Sequence, residues 1–191
     1  EFIDELKVIK HGTFIMFESV KSGIFNTIDY IKKAIALYFR FSLIDQNFNI
    51  YINDELINES MLEDFSSNTQ FLWEINDIND PFVDSMKNLQ EKCCIKSNMK
   101  IRGYIATVKK PSNLKVRGTQ EKLTLDLFVN GRLRERDILR HIPTARIVEN
   151  YVFGQIHFDE LDRGDNQDVF TSSREGVISD SEEFNNLIDE I

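Results

Sequence analysis

Leu123-Thr124-Leu125-Asp126-Leu127-Phe128-Val129-Asn130-Gly131-Arg132 is the run on which the fold turns. Its first seven residues read as a strand. Asn130-Gly131 then reads as a tight turn between consecutive elements, because both residues tolerate positive φ where other pairs are strained. Working outward, Met99 to Val108 and Tyr151 to Phe158 are further strand candidates, and a helix is expected from about Arg134 to His141. Asp80-Pro81 starts another helix, with proline at the first helical position and Phe82, Val83, Met86 and Leu89 as its apolar stripe. Ser181 or Asp180 caps a closing helix bearing Phe184, Leu187 and Ile188. This second unit is mixed α/β.

Toward the N-terminus, Phe14-Ile15-Met16-Phe17 is strand-like. Asn26 or Thr27 can cap a helix in which Ile28, Ile31, Ile35 and Phe39 recur at helical spacing. Phe48 to Ile52 alternates at period two and meets Asn53-Asp54, a hairpin turn into Leu56-Ile57. The stretch after it is polar and acidic, broken by a short strand candidate, Phe71 to Ile75. These shifts divide the chain into units 1–58 and 81–191 joined by a linker, 59–80.

Composition narrows the function. The 191 residues are 41% hydrophobic and 29% charged, with no apolar run of the length that crosses a bilayer. Membrane spans, collagen and disorder are excluded. Cys93 and Cys94 are adjacent and cannot close a long loop, which points to a reducing, cytoplasmic setting. The net charge of -9 argues against a general nucleic-acid binder. Yet between Lys96 and Arg146 there are 13 Lys and Arg against four acids, a local net of +9. Lys109, Lys110, Lys115, Arg117 and Lys122 surround a polar loop where they could meet a phosphate backbone, joined by Arg132 and the cations up to Arg146. A charge run is also what an ordinary solvated surface carries, and both readings stand.

No complete active site is visible. His11, His141 and His157 are scattered, so no metal site is expected. There is no Gly-x-Ser-x-Gly elbow and no phosphate-binding glycine loop. Phe170 to Gly176 sets hydroxyls and Arg174 on a short loop; that guanidinium could reach a phosphate, or pair with Glu175 or an Asp of the 159–168 turn.

Three stretches resemble the ATPase superfamily of gyrase, heat-shock chaperones, histidine kinases and MutL (GHKL). Gly12-Thr13 with the strand, helix and strand after it is similar to the end of that superfamily's ATP-binding domain. Lys100-Ile101-Arg102-Gly103 and Phe128-Val129-Asn130-Gly131-Arg132 resemble the transducer domain of MutL-type proteins. Ser173-Arg174-Glu175 resembles a loop of the large heat-shock chaperones. The resemblance implies that 1–58 ends an ATP-binding domain and 81–191 is a transducer. It implies mixed sheets with helices on one face and a ribosomal-protein-like left-handed βαβ crossover. It makes Arg174 a catalytic phosphate sensor and gives Thr13 and Ser173 cofactor contacts. The superfamily's Mg-binding Asn and glycine loops are not in this sequence, so ATP and Mg would be bound by a preceding domain of a longer protein. That domain would be the first partner, with DNA and a second copy as others. The function implied is an ATP-driven machine of the kind that includes mismatch-repair clamps. A chaperone-like middle domain and a nucleic-acid-binding module without ATPase role are the alternatives.

Overall fold

In a computed structural model, residues 11–19, 27–39, 48–116, 121–145, 147–163, 169–171, 176–178 and 181–191 are described. Helix α1 (Ile28–Tyr38) begins at Thr27, whose side chain accepts from the Tyr30 N–H, and carries Asp29 in its first turn. Strands β1 (Tyr51–Ile52) and β2 (Glu55–Leu56) form a hairpin through Asn53 and Asp54, both at positive φ. This is the turn expected there, closing a hairpin shorter than the sequence suggested.

The remaining strands are β3 (Thr69–Ile75), β4 (Glu91–Ile95), β5 (Arg102–Val108), β6 (Leu125–Val129), β7 (Arg132–Glu135) and β8 (Val152–His157). They form one mixed sheet in the order β4-β3-β5-β8-β6-β7. The α/β class read from sequence stands. Strands β6 and β8 are buried along their whole length, as central strands covered on both faces must be. Cross-strand partners share a face, so Leu72, Ala106 and Phe153 face one core with Ala36 of α1. Leu125, Leu127 and Ile156 face the other, with Phe184 and Leu187 of the closing helix α4 (Glu182–Glu190). Helices therefore cover both faces, where one had been expected.

Asn130 (φ 51°) and Gly131 (φ 71°) make the turn joining β6 to β7, as their sequence requires. The same turn explains a correction. The helix expected from Arg134 to His141 is instead β7 followed by a 3-10 turn, Ile138–His141, because a tight turn returns the chain as a hairpin partner. Among the described residues, the connection between parallel β6 and β8 thus holds no α-helix. The linker expected over 59–80 carries β3, which pairs on both sides, and two short helical turns, Glu59–Leu62 and α2 (Glu63–Ser66). Asp80 caps a helix as expected, but α3 (Pro81–Asp84) lasts one turn.

Phe14 to Phe17 form no strand and lie exposed. Apolar side chains do not make a strand without a ladder partner for the backbone. Among the described residues no helix is long and apolar enough to cross a membrane.

Candidate nucleic-acid interface

Strand register places the cations. Strand β5 ends at Val108 opposite Thr69, the first residue of β3, and Thr107 lies opposite Val152, the first of β8. Leu125, the first of β6, lies opposite Gly154. Lys109 and Lys110 follow directly, exposed, and the chain turns through the 3-10 segment Pro111–Leu114. Leu114 is fully buried and its carbonyl accepts from the Leu123 N–H (2.9 Å), which pins the turn. Lys115 bridges Lys122 across the loop. Lys122 is half-buried, its Nζ donating to the Glu149 carbonyl (3.1 Å) and to Asn150 Oδ1 (3.3 Å). Four of the lysines read from sequence therefore gather at one end of the sheet, and none of them forms an ion pair among the described residues.

Carboxamides interleave with them. Asn113 Nδ2 donates to Asn68 Oδ1 (3.0 Å), Gln70 Nε2 to Gln90 Oε1 (2.9 Å) and Asn88 Nδ2 to the Ser67 carbonyl (3.4 Å). Sequence reading saw the polar loop that carries Asn113 but missed its amide neighbours, because the group comes from three separate segments and meets only through the β3–β4 and β3–β5 registers. Chemically the row supplies N–H donors and positive charge in the combination that contacts phosphates and base edges.

Arg132 departs from this group. It pairs with Val129 at the start of β7, at the sheet's opposite end, beside the β5–β8 pair Arg102 and His157. The cations there meet acids: Arg102 with Asp159 (3.6 Å), Arg134 with Asp162 (3.6 Å) and Lys100 with Glu160 (3.0 Å). Arg132 and Arg134 thus stand apart from the lysine loop, and the acids that meet this end come from the 3-10 turn Asp159–Asp162 outside the basic segment, whereas Arg136 of the same set lies beside Glu121, next to Lys122. Arg117, Ser173 and Arg174 lie outside the described residues, and Thr13 is exposed in an irregular stretch.

Between the lysines and α1 lies a partly buried polar cluster. Glu121 accepts from the Tyr38 hydroxyl (2.6 Å) and the Tyr30 hydroxyl (3.3 Å), and Arg136 lies 3.9 Å away, its guanidinium over the Tyr38 ring. Burial, then the bond to Glu121, drives the Tyr38 phenol well above its ordinary value. Asp126 is buried nearby, accepting from Thr124 Oγ1 (2.6 Å) and the Asp137 N–H (3.0 Å). Desolvation raises its carboxyl despite these bonds. Glu135, on β7, accepts from Arg140 and from the Val177 N–H (3.0 Å), with His141 Nε2 3.2 Å away. These carboxylates are engaged in holding α1 and the loops, and among the described residues no three His, Cys, Asp or Glu side chains are grouped to hold a metal.

The Cys93 and Cys94 thiols are raised, chiefly through hydrogen bonds to Glu91 and Glu74, which disfavours the nucleophilic thiolate.

Comparison with known proteins changes the functional reading. No known family's sequence pattern matches the chain, and no solved structure matches it. One curated protein of Herpetosiphon aurantiacus, named "Putative type II restriction enzyme HgiDII", is 29% identical over 177 residues, covering 88% of this chain and 28% of its own length. The chain thus spans little more than a quarter of that relative. The similarity overturns the resemblance to the GHKL ATPases, and with it the ATP-driven machine, the mismatch-repair clamp and the chaperone-like middle domain: this chain is similar to a protein named as a restriction enzyme.

Proposed function

We propose that this chain is a DNA-contacting segment of a restriction-enzyme-like protein. The carrying observation is the row of Lys109, Lys110, Lys115 and Lys122 with its interleaved amides at one end of the sheet. The name of the similar protein supports the reading, because a restriction enzyme acts on DNA. In an acidic chain, phosphates would be repelled from most of the surface and drawn to a cluster of exposed lysines such as this. The lysines neutralise phosphates and fix the register, while rigid amides face the bases.

Phosphodiester hydrolysis is commonly run by metal ions held on carboxylates. The described residues do not fit such a site: Asp126, Glu121 and Glu135 already accept hydrogen bonds that hold the fold. The proposal for this chain is therefore contact and not cleavage. Retention of a labelled duplex at low salt tests it. Reversing Lys109 and Lys110 to Glu should abolish retention while leaving the thermal melt in place; unchanged retention would remove the reading.

A further inference from the structure

We propose that Asn113 reads an adenine in the major groove; the inference rests on the DNA-contact reading above. The argument is one of hydrogen-bond direction. Asn68 Nδ2 lies 2.6 Å from the Asp64 backbone carbonyl, which can only accept, so the Asn68 amide nitrogen must face it. Asn68 Oδ1 is then turned the other way and accepts from Asn113 Nδ2 at 3.0 Å. The relay fixes Asn113 in turn: one of its N–H groups is spent on Asn68, and its second N–H and Oδ1 remain.

A donor and an acceptor side by side on one planar carboxamide match the N7 acceptor and N6 donor of adenine. Guanine offers two acceptors along the same edge, and cytosine and thymine offer no such pair. Placement agrees with the chemistry. Asn113 sits on the 3-10 turn between exposed Lys110 and Lys115, with its own N–H donating to the Lys110 carbonyl (2.9 Å). Buried Leu114 and Val116 anchor the turn beneath, and the Val116 N–H donates to the Glu121 carbonyl (3.0 Å). Phosphates on the lysines would hold a base edge against an amide already oriented, so little ordering remains on binding.

Selection of bound duplexes from a randomised library tests this on the chain and its variants. The wild type should enrich adenine at one position about ten-fold over other bases, the scale of one good bidentate pair. Asn113→Ala should lose that preference and keep its salt dependence. Asn113→Asp, with acceptors only, should shift the position toward cytosine, whose N4 group donates. Asn68→Ala should blur the preference, because the Asn113 amide is then free to flip. An adenine preference retained in Asn113→Ala would overturn the inference. So would no adenine enrichment in a wild type whose binding still weakens in Lys110→Ala, and in that case the DNA reading survives. Binding insensitive to Lys110→Ala would end both.

Discussion

At the end of the sheet where β5 finishes, Lys109, Lys110 and Lys115 stand exposed and form no ion pair among the described residues, whereas at the end where β5 begins, Lys100, Arg102 and Arg134 each lie against a carboxylate. The two ends draw on the same basic segment. The difference lies in what the rest of the chain brings to them: the Asp159–Asp162 turn lands on one and amides land on the other. Cations paired with acids in the folded protein are structural fittings, and those left among amides are available to a ligand. Charge counted along the sequence does not distinguish them.

If that division holds, the largest stability losses come from the paired end. Gly103 there has φ 154°, and a Cβ on it would sit 2.0 Å from the Gln155 carbonyl oxygen of β8. Gly103→Val should therefore destabilise by roughly 3 kcal/mol or more, because backbone must move and neither strand is an edge. Denaturant titration measures it, and a loss below about 1 kcal/mol would show that the β5–β8 contact yields easily.

Arg134→Ala should come next, at about 1–3 kcal/mol. The side chain is 7% exposed, reaches Asp162 and lies 4.7 Å over the Phe170 ring. A neutral outcome would move Arg134 into the class of the free lysines and blur the comparison. Gly131→Val should cost on the order of 1 kcal/mol, since its φ of 71° strains a β-branched residue.

Asp126 sharpens the comparison from inside the sheet. Its carboxyl is raised by burial, so the folded state holds a proton where the unfolded chain has already released it. This group therefore favours folding on the acid side of the ordinary carboxylate range, and that contribution fades as pH rises through its raised value. Asp126→Asn keeps an oxygen for Thr124 and the Asp137 N–H and removes the buried charge. Melts at several pH values should show the variant at least as stable as wild type near neutrality, with a flatter decline from acid; a large loss at neutral pH would mean that the charge itself is needed. The smallest stability effect belongs to Lys109→Ala and Lys110→Ala, within about 0.5 kcal/mol of wild type.

How much was legible follows from where each signal resides. Asn130-Gly131 and Asn53-Asp54 announced their turns because positive φ is a property of those residues alone. Thr27 and Ser181 announced helix starts for the same local reason. Strand β4 was invisible, since Glu91-Lys92-Cys93-Cys94-Ile95 has no apolar alternation; it is an edge strand held by its β3 partner. Strand β7 was read as helix because Arg132 to Glu135 lacks a decisive pattern and tertiary pairing overrides propensity. Of the site, the lysines of the 109–122 loop were legible as a cluster. The amides around them and the acids that neutralise the other end were not, because both are assembled by long-range register.

The dependence of DNA affinity on salt tests the central claim most directly. Each phosphate contact contributes about 0.9 to the slope of log affinity against log salt on duplex DNA. Measured on the wild type, the combined Lys109→Ala, Lys110→Ala and Lys115→Ala variant and the combined Lys100→Ala and Arg102→Ala variant, the slope should fall by roughly 2 to 3 in the first variant and stay within about 0.5 of wild type in the second. Equal falls in both, or none in the first, would contradict the division of the sheet into a structural end and a DNA-contacting end.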